Sequence, residues 1–139
     1  MLIPLREAGI DIYQSRSLST SIVYQRQSAL NEGRDFSIEQ ILTIPGNAFC
    51  HAHPFDHLII PTIVNVQEAL RRAQHREKDD NCKFENLEFQ LKIKPQYESL
   101  EFRQVFEKVG TKVTYQDAGK TIEFSQQQAR EFYSQHLRK

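Results

Sequence analysis

The sequence predicts an α+β fold, in which a helical N-terminal part, residues 1–78, precedes a strand-helix-hairpin-helix unit, residues 84–139. Three observations predict this class. Apolar residues recur at helical spacing in the first part, they alternate strictly with polar residues over 87–94, and turn residues follow at 117–119. With 139 residues and no Gly/Ser-rich or Pro-rich linker, the chain is expected to form one compact domain, with a small sheet packed on helices.

The first long helix is predicted over residues 18–31. Its narrow apolar stripe is formed by Leu18, Ile22, Ala29 and Leu30. Gly33 stands just past the predicted end, where a residue with a positive φ angle often closes a helix.

A capping box predicts a second, short helix. The Ser37 hydroxyl can accept a hydrogen bond from the Gln40 amide, and the Gln40 side chain can bond back to Ser37. Phe36 and Ile41 can pack together beside this box. The Pro-Gly pair at 45–46 is expected to end the helix.

A third helix is predicted to start at Pro61 and to end near Arg76, because proline favours the first helical turn. Its apolar positions are Ile63, Val66, Leu70 and Ala73. Glu68 and Arg72, four residues apart, are expected to form an ion pair on its surface.

The second part begins with a strand that is predicted over 87–94 and closed by Pro95. One face of this strand carries Leu87, Phe89, Leu91 and Ile93. The next helix is predicted over 97–109, with Gly110 as its C-terminal stop. The apolar positions of this helix are Phe102, Val105, Phe106 and Val109.

A hairpin is predicted next, with Val113 and Tyr115 in one arm, a turn at 117–119, and Ile122 and Phe124 in the other arm. Apolar residues alternate in both arms, and the turn contains aspartate and glycine.

A second capping box predicts the last helix, with Ser125 as the cap and Gln128 bonding back. The apolar side of this helix carries Ala129, Phe132, Tyr133, His136 and Leu137. The order strand, helix, hairpin, helix lacks one strand of a split βαββαβ sandwich. Residues 2–12 or 58–60 could supply that strand, so the topology is left open.

The charge balance excludes a strong overall attraction to nucleic acid or to an anionic membrane, because 18 basic and 18 acidic side chains cancel. The N-terminus lacks the pattern of a secretion signal, and the longest apolar run, 58–66, is interrupted by Pro61 and Asn65. A soluble cytoplasmic protein without a membrane partner is expected, with Cys50 and Cys82 as free thiols.

The stretch FCHAHPFDH, residues 49–57, holds three of the five histidines and is the main candidate for a functional site. If Pro54 starts a helical turn, His53 and His57 lie four residues apart on one face. The candidate metal ligands are His51, His53, His57 and Asp56, with Cys50 as a further donor. Imidazole, carboxylate and thiolate groups bind zinc, and a zinc ion with an open position activates water for hydrolysis.

Two other interpretations of this stretch remain open. In one, the imidazoles only cap backbone groups and stack on Phe49 and Phe55. In the other, Cys50 is a nucleophile with His75 or His136 as its base.

A basic strip at the end of the third predicted helix is a candidate anion-binding site. It consists of Arg71, Arg72, His75, Arg76 and Lys78. The strip could bind phosphate groups or nucleic acid, although the helix dipole alone also favours cations at a helix C-terminus.

The sequence as a whole favours a protein-binding accessory, adaptor or regulatory domain without catalytic activity, because the patterns for regular structure are clearer than any catalytic pattern. The expected partner is another protein or a second copy of the chain, and no cofactor is predicted apart from a possible zinc ion. Two alternatives remain: a zinc-dependent hydrolase that uses the histidine stretch, and a phosphate- or nucleic-acid-binding domain that uses the basic strip.

Overall fold

Helices form most of the chain, and they accompany one small parallel sheet. The computed structural model describes residues 2–74 and 87–136. The helices are α1 (Leu2–Glu7), α2 (Leu18–Asn31), α3 (Ile38–Leu42), α4 (Pro45–Ala52), α5 (Val66–Gln74), α6 (Leu87–Tyr97), α7 (Leu100–Glu107) and α8 (Ile122–His136). The strands are β1 (His57–Thr62) and β2 (Lys112–Asp117). The predicted α+β class is confirmed.

The chain divides into two compact units, Met1–Cys50 and His51–Lys139. The first unit contains α1 to α3 and most of α4, and the second contains both strands and α5 to α8. This division lies earlier in the chain than the change from helical to mixed structure that the sequence predicts between residues 78 and 84. The single-domain organisation stays a prediction.

The helix predicted over 18–31 is confirmed as α2. The buried members of its apolar stripe are Leu18, Ile22 and Ala29, and the exposed member is Leu30. Gly33 follows the helix with a φ of 72°, and the Arg34 amide donates to the Ala29 carbonyl oxygen at 2.9 Å. Glycine closes α2 because it adopts a positive φ angle without steric cost.

The capping box predicted at the start of α3 is confirmed. The Gln40 amide donates to Ser37 Oγ at 3.2 Å, and the Ser37 amide donates to Gln40 Oε1 at 2.9 Å. Ile38 and Ile41, on the first turns of this helix, are buried. Two local hydrogen bonds therefore place an apolar pair of side chains in the core of the first unit.

The Pro-Gly pair at 45–46 starts a helix instead of only ending one. α3 ends at Leu42, and α4 begins directly with the proline, whose missing N–H would have had no partner in a first turn. Asn47 in this turn accepts a hydrogen bond from Ser21 Oγ at 2.9 Å and donates to the Ile41 carbonyl oxygen at 3.0 Å. Asn47 is 8% exposed, so a buried polar side chain links α2 and α3 to α4.

β1 and β2 form a two-stranded parallel sheet, with His57 opposite Lys112 and Thr62 opposite Asp117. β1 includes residues 58–60, one of the two stretches that could supply the missing strand. The predicted hairpin is wrong, because its second arm lies in α8. Parallel strands need a long crossover connection, and α5, α6 and α7 lie between β1 and β2 in the chain.

The two faces of this sheet differ in burial. The buried residues of one face are Leu58, Ile60 and Val113. On the other face Ile59 is 39% exposed, whereas His57 packs against Phe132 of α8 with ring centroids 5.4 Å apart. One face therefore contributes aliphatic side chains to the core of the second unit, and α8 meets part of the opposite face.

Pro61 lies in β1 and not in the first turn of a helix, so the predicted helix start is wrong. Proline suits an edge strand, because its missing N–H faces away from the paired strand. α5 begins later, at Val66. The Asn65 side chain accepts a hydrogen bond from the Glu68 amide at 3.1 Å and so supplies the cap of this helix.

The largest correction concerns residues 87–94, which lie in α6 and not in the predicted strand. Ile93 is 4% exposed and Leu91 is 51% exposed, whereas a strand would bury both on one face. Lys92 Nζ lies 2.6 Å from Glu88 Oε1, an i, i+4 pair that stabilises a helix. Leucine, glutamate, glutamine and lysine are also strong helix formers, so this stretch suits a helix despite its alternation.

The helix predicted over 97–109 is confirmed in its central part as α7. The Ser99 side chain caps α7 by accepting a hydrogen bond from the Phe102 amide at 3.2 Å. Phe102 and Phe106 are both buried, with ring centroids 5.1 Å apart. Gly110 follows with a φ of 89°, as expected of a residue that stops a helix.

α8 starts before its predicted cap. Ser125 lies inside the helix, and Thr121 is the cap, because Thr121 Oγ1 accepts a hydrogen bond from the Phe124 amide at 3.2 Å. Gln128 Nε2 donates to the Asp117 carbonyl oxygen at 2.8 Å. The second capping box is therefore wrong, and Gln128 instead joins α8 to the end of β2.

None of the helices within residues 2–74 and 87–136 combines the length and the apolar content that a membrane span requires. The longest of them, α8, has 15 residues, whereas a spanning helix needs about 20. Cys50 is a free thiol, as predicted, and Cys82 lies outside the described residues.

Candidate functional site

The three clustered histidines occupy three different local structures. His51 lies at the end of α4, His53 follows that helix, and His57 is the first residue of β1. The helical turn at Pro54, on which a shared face of His53 and His57 depends, does not form. That premise is wrong, because the chain extends at this point to enter the sheet.

His51 and His57 have different surroundings. His51 Nε2 lies 3.4 Å from the Val105 carbonyl oxygen. The His57 ring meets Phe132 edge-on and stacks on His136, with centroids 5.7 Å apart and planes 16° apart. His57 Nδ1 is buried and has no hydrogen-bond partner within the described part of the chain. Buried polar atoms are usually bonded, so His57 has the most unusual environment in the cluster.

Within the two described ranges, no three side chains of histidine, cysteine, aspartate or glutamate are arranged to hold one metal ion. The ligand set of His51, His53, His57 and Asp56 stays a prediction, as do the hydrolase and the cysteine nucleophile. Elemental mass spectrometry on untagged protein checks the metal site. About one equivalent of zinc, lost in both His53→Ala and His57→Ala, would establish it.

Arg71 is the one member of the predicted basic strip whose side chain the structure describes. It donates to Glu68 from Nε at 2.8 Å and from Nη2 at 3.0 Å, whereas the sequence predicts Arg72 as the partner of Glu68. The hydrogen bond and the charge of Glu68 raise the pKa of Arg71. Outside the described side chains lie those of Arg72, His75, Arg76 and Lys78. Phosphate or nucleic-acid binding by the strip stays a prediction.

β1 presents backbone groups on the side away from β2. Just past β2, the Ala118 amide donates to the Thr62 carbonyl oxygen at 2.8 Å. Because bonding residues alternate along a parallel strand, the even-numbered residues of β1 direct their backbone groups to β2. The odd-numbered residues of β1 therefore direct their backbone groups to the opposite side, which we call the outer edge of β1. These residues are His57, Ile59 and Pro61. Among the described residues, no strand pairs there.

A cavity of about 180 Å³ lies beside the outer edge of β1. Its apolar lining includes Ile60, Pro61, Val66, Ala69, Ile93 and Tyr97. Ile60 and Pro61 are neighbours whose side chains point to opposite faces of β1, yet both line the cavity. The cavity therefore lies at the edge of the strand, between β1, α5 and α6, and its lining includes no residue of β2.

Two charged residues on α6 line the cavity, and they pair with each other. Lys94 Nζ lies 2.7 Å from Glu98 Oε1. The neighbouring Tyr97 is joined to β2, because its carbonyl oxygen accepts a hydrogen bond from the Tyr115 hydroxyl at 2.8 Å. A tyrosine hydroxyl is protonated at neutral pH, and burial raises the pKa of Tyr115 further above its ordinary value.

A wider surface depression, of about 670 Å³, lies at the start of α8. Its lining residues are Gly119, Lys120, Thr121, Ile122 and Phe124. The Lys120 ammonium lies 4.2 Å from the Phe124 ring centroid. In the described part of the chain, one short stretch supplies this lining, so no second element there forms an opposing wall on which polar groups could converge. The cavity beside β1 is the better candidate.

Comparison of the chain with models of known protein families, with curated proteins and with solved structures finds no match. The function of this chain is therefore inferred from its own residues and geometry.

The cavity is not predicted from the sequence, because the residues of its walls are assigned there to different helices and strands from those that the structure contains. Pro61 and Ile63 are predicted to lie in a helix and Ile93 in a strand. One available indication was the composition of the stretch 58–62, in which β-branched residues surround a proline. Such a stretch is typical of an edge strand.

Proposed function

We propose that this chain is a protein-binding domain that acts in the cytoplasm as an accessory, adaptor or regulatory component, without catalytic activity of its own. The observation that carries the proposal is the outer edge of β1. There His57, Ile59 and Pro61 present backbone groups that no strand pairs with among the described residues. An unpaired strand edge is a template for pairing with another chain.

The small size of the sheet supports the same proposal. The described residues contain two strands, which pair in parallel, whereas sheets of globular proteins most often have about four to six. A strand contributed by a partner would enlarge the sheet to three and would pair the backbone groups of Ile59. Binding would then add hydrogen bonds that no strand among the described residues supplies.

Exposed apolar side chains give further support. Among the described residues of the second unit, the large apolar ones that are exposed are Ile59, Val64, Leu91, Leu100, Ile122 and Tyr133. Single exposed residues of this kind are ordinary, so most of them carry little weight. Ile59 matters more, because it belongs to β1 itself and can contact a chain that pairs at the outer edge.

A displayed library of natural protein fragments, screened with the full chain, tests the proposal. We expect fragments that bind saturably in calorimetry, and at least about tenfold weaker binding to Ile59→Lys. Val64→Lys is the matched control, because Val64 is 93% exposed and lies outside β1. Its affinity is expected to equal that of the wild type.

A second copy of the chain is one partner that the proposal allows. Sedimentation equilibrium over a wide concentration range measures such self-association, again with Ile59→Lys and Val64→Lys. If no fragment binds saturably and the chain stays monomeric, the protein-binding function is wrong.

A further inference from the structure

The outer edge of β1 and the cavity share Pro61, and we call the two together the β1 groove. At the outer edge, Ile59 presents both an N–H and a C=O, and Pro61 presents a C=O only. Pro61 belongs to both parts, because it also lines the cavity. Alternating donors and acceptors along an extended strand match the backbone of another extended chain. The edge therefore favours a peptide in extended conformation over a compact small molecule.

The cavity sets the kind of side chain that such a peptide can insert. Its volume is about 180 Å³, and its lining includes Val66 and Ala69 of α5 and Ile93 of α6. An apolar cavity of about 150 Å³ is large enough to bind benzene. The space therefore fits one phenyl ring or one branched aliphatic side chain, and an apolar wall favours a group without hydrogen-bonding needs.

The charges at the cavity favour an uncharged ligand. Among the described residues, the charged ones that line the cavity are Lys94 and Glu98, which pair with each other across 2.7 Å. A charged side chain that entered the groove would lose hydration, and neither of these two paired residues would offer it a free counter-charge. Electrostatic complementarity therefore selects a segment without net charge.

We infer that the β1 groove binds an extended, uncharged peptide segment of a partner protein, which pairs with Ile59 and places one aliphatic or aromatic side chain in the cavity. This inference rests on the protein-binding function proposed above, and it names the site and the class of ligand. Pro61 has no N–H, so pairing along the edge is interrupted there and the paired segment is short.

Random 12-residue peptides displayed on phage, selected against the full chain, supply the probe. We expect the selected sequences to share one large apolar residue at a constant position and to lack net charge. The affinity of a synthetic copy is measured for the wild type and for Ala69→Leu, which fills the cavity with a residue that suits a helix. Binding to Ala69→Leu is expected to be at least about tenfold weaker.

Ala48→Leu is the matched control, because Ala48 is an exposed helical position in α4 of the first unit. Its affinity is expected to equal that of the wild type. Circular dichroism establishes that both variants fold.

A second measurement needs no variant of the protein. Copies of the peptide, each methylated at one backbone nitrogen, are measured against the wild type. Strand pairing predicts that methylation weakens binding at alternate positions, because only every second residue of an added strand bonds to the edge. Loss at every position, or at none, contradicts pairing.

The outcomes separate the two proposals. A peptide or natural fragment that binds the wild type and Ala69→Leu equally overturns the groove and leaves the protein-binding function intact. If natural fragments bind but no random peptide does, the affinity of the fragments for Ala69→Leu is measured in the same way. Weaker binding to this variant supports the groove, and equal binding overturns it. If neither library yields a saturable binder and the chain does not self-associate, both proposals fall.

Discussion

α3 and α6 are both helices with one side in a core, but only α3 can be predicted from its own residues. Ser37 and Gln40, three positions apart, exchange the two hydrogen bonds that start α3. The stretch 87–94 contains no such box, and its alternation is as regular as that of a strand. Short-range hydrogen bonds therefore specify α3, whereas α6 depends on the surface against which Ile93 packs.

The largest expected effect tests the burial of α6. Ile93→Ala is expected to lower the free energy of unfolding by about 2–5 kcal/mol, because the removed side chain is almost fully buried. Leu91→Ala, half exposed on the same helix, is expected to change it by only about 0.5 kcal/mol. Urea unfolding measures both. Equal losses of stability in the two variants would contradict a helix over 87–94, because a strand would bury both residues on one face.

The next effect concerns the polar link in the first unit. Asn47→Ala removes the acceptor of Ser21 Oγ and the donor to the Ile41 carbonyl oxygen. We expect a loss of about 1–3 kcal/mol in the free energy of unfolding, because buried polar groups lose their partners. Urea unfolding is again the measurement. Unchanged stability would mean that water replaces the amide and that α4 does not need this link.

A smaller effect is expected at the capping box of α3, which is compared here with the predicted box at Ser125 that does not form. Ser37→Ala is expected to cost about 1 kcal/mol, because the Gln40 amide loses its acceptor. Ser125→Ala is the matched control: Ser125 lies inside α8, where alanine is the better helix former, so no loss of stability is expected. Thermal unfolding of the two variants checks this. A loss on Ser125→Ala equal to that on Ser37→Ala would mean that Ser125 caps a helix after all.

The smallest effect is a pH dependence at the surface of α6. The hydrogen bond from Lys92, together with its charge, lowers the pKa of Glu88. A carboxyl group with a lowered pKa in the folded state stabilises the fold above its unfolded pKa of about 4.3 and loses this contribution at lower pH. The melting temperature is therefore expected to fall slightly more with acid in the wild type than in Glu88→Gln. Parallel curves of melting temperature against pH for the two proteins would mean that Glu88 does not contribute to this pH dependence.

The candidate sites, like α6, depend on contacts between residues that are far apart in the sequence. Composition alone draws attention to His57, but the residue stacked on it, His136, lies at the other end of the second unit's sequence. No local pattern connects the two, because α8 creates the contact by packing on the sheet. The β1 groove is also beyond local prediction, since Ile60, Val66 and Ile93 come from three separate elements.

The sequence by itself determined the features whose atoms lie within a few residues of one another. These are the cap at Ser37, the helix stops at Gly33 and Gly110, the extent of α2 and the central part of α7. The α+β class was also predicted correctly. Only the tertiary structure decided that 87–94 form a helix, that β1 pairs with β2 in parallel, and that Pro61 lies at an edge. The physical reason is that caps and positive-φ glycines depend on local hydrogen bonds and sterics. Strand pairing and the choice of a buried side depend instead on distant surfaces, whose packing outweighs small local preferences.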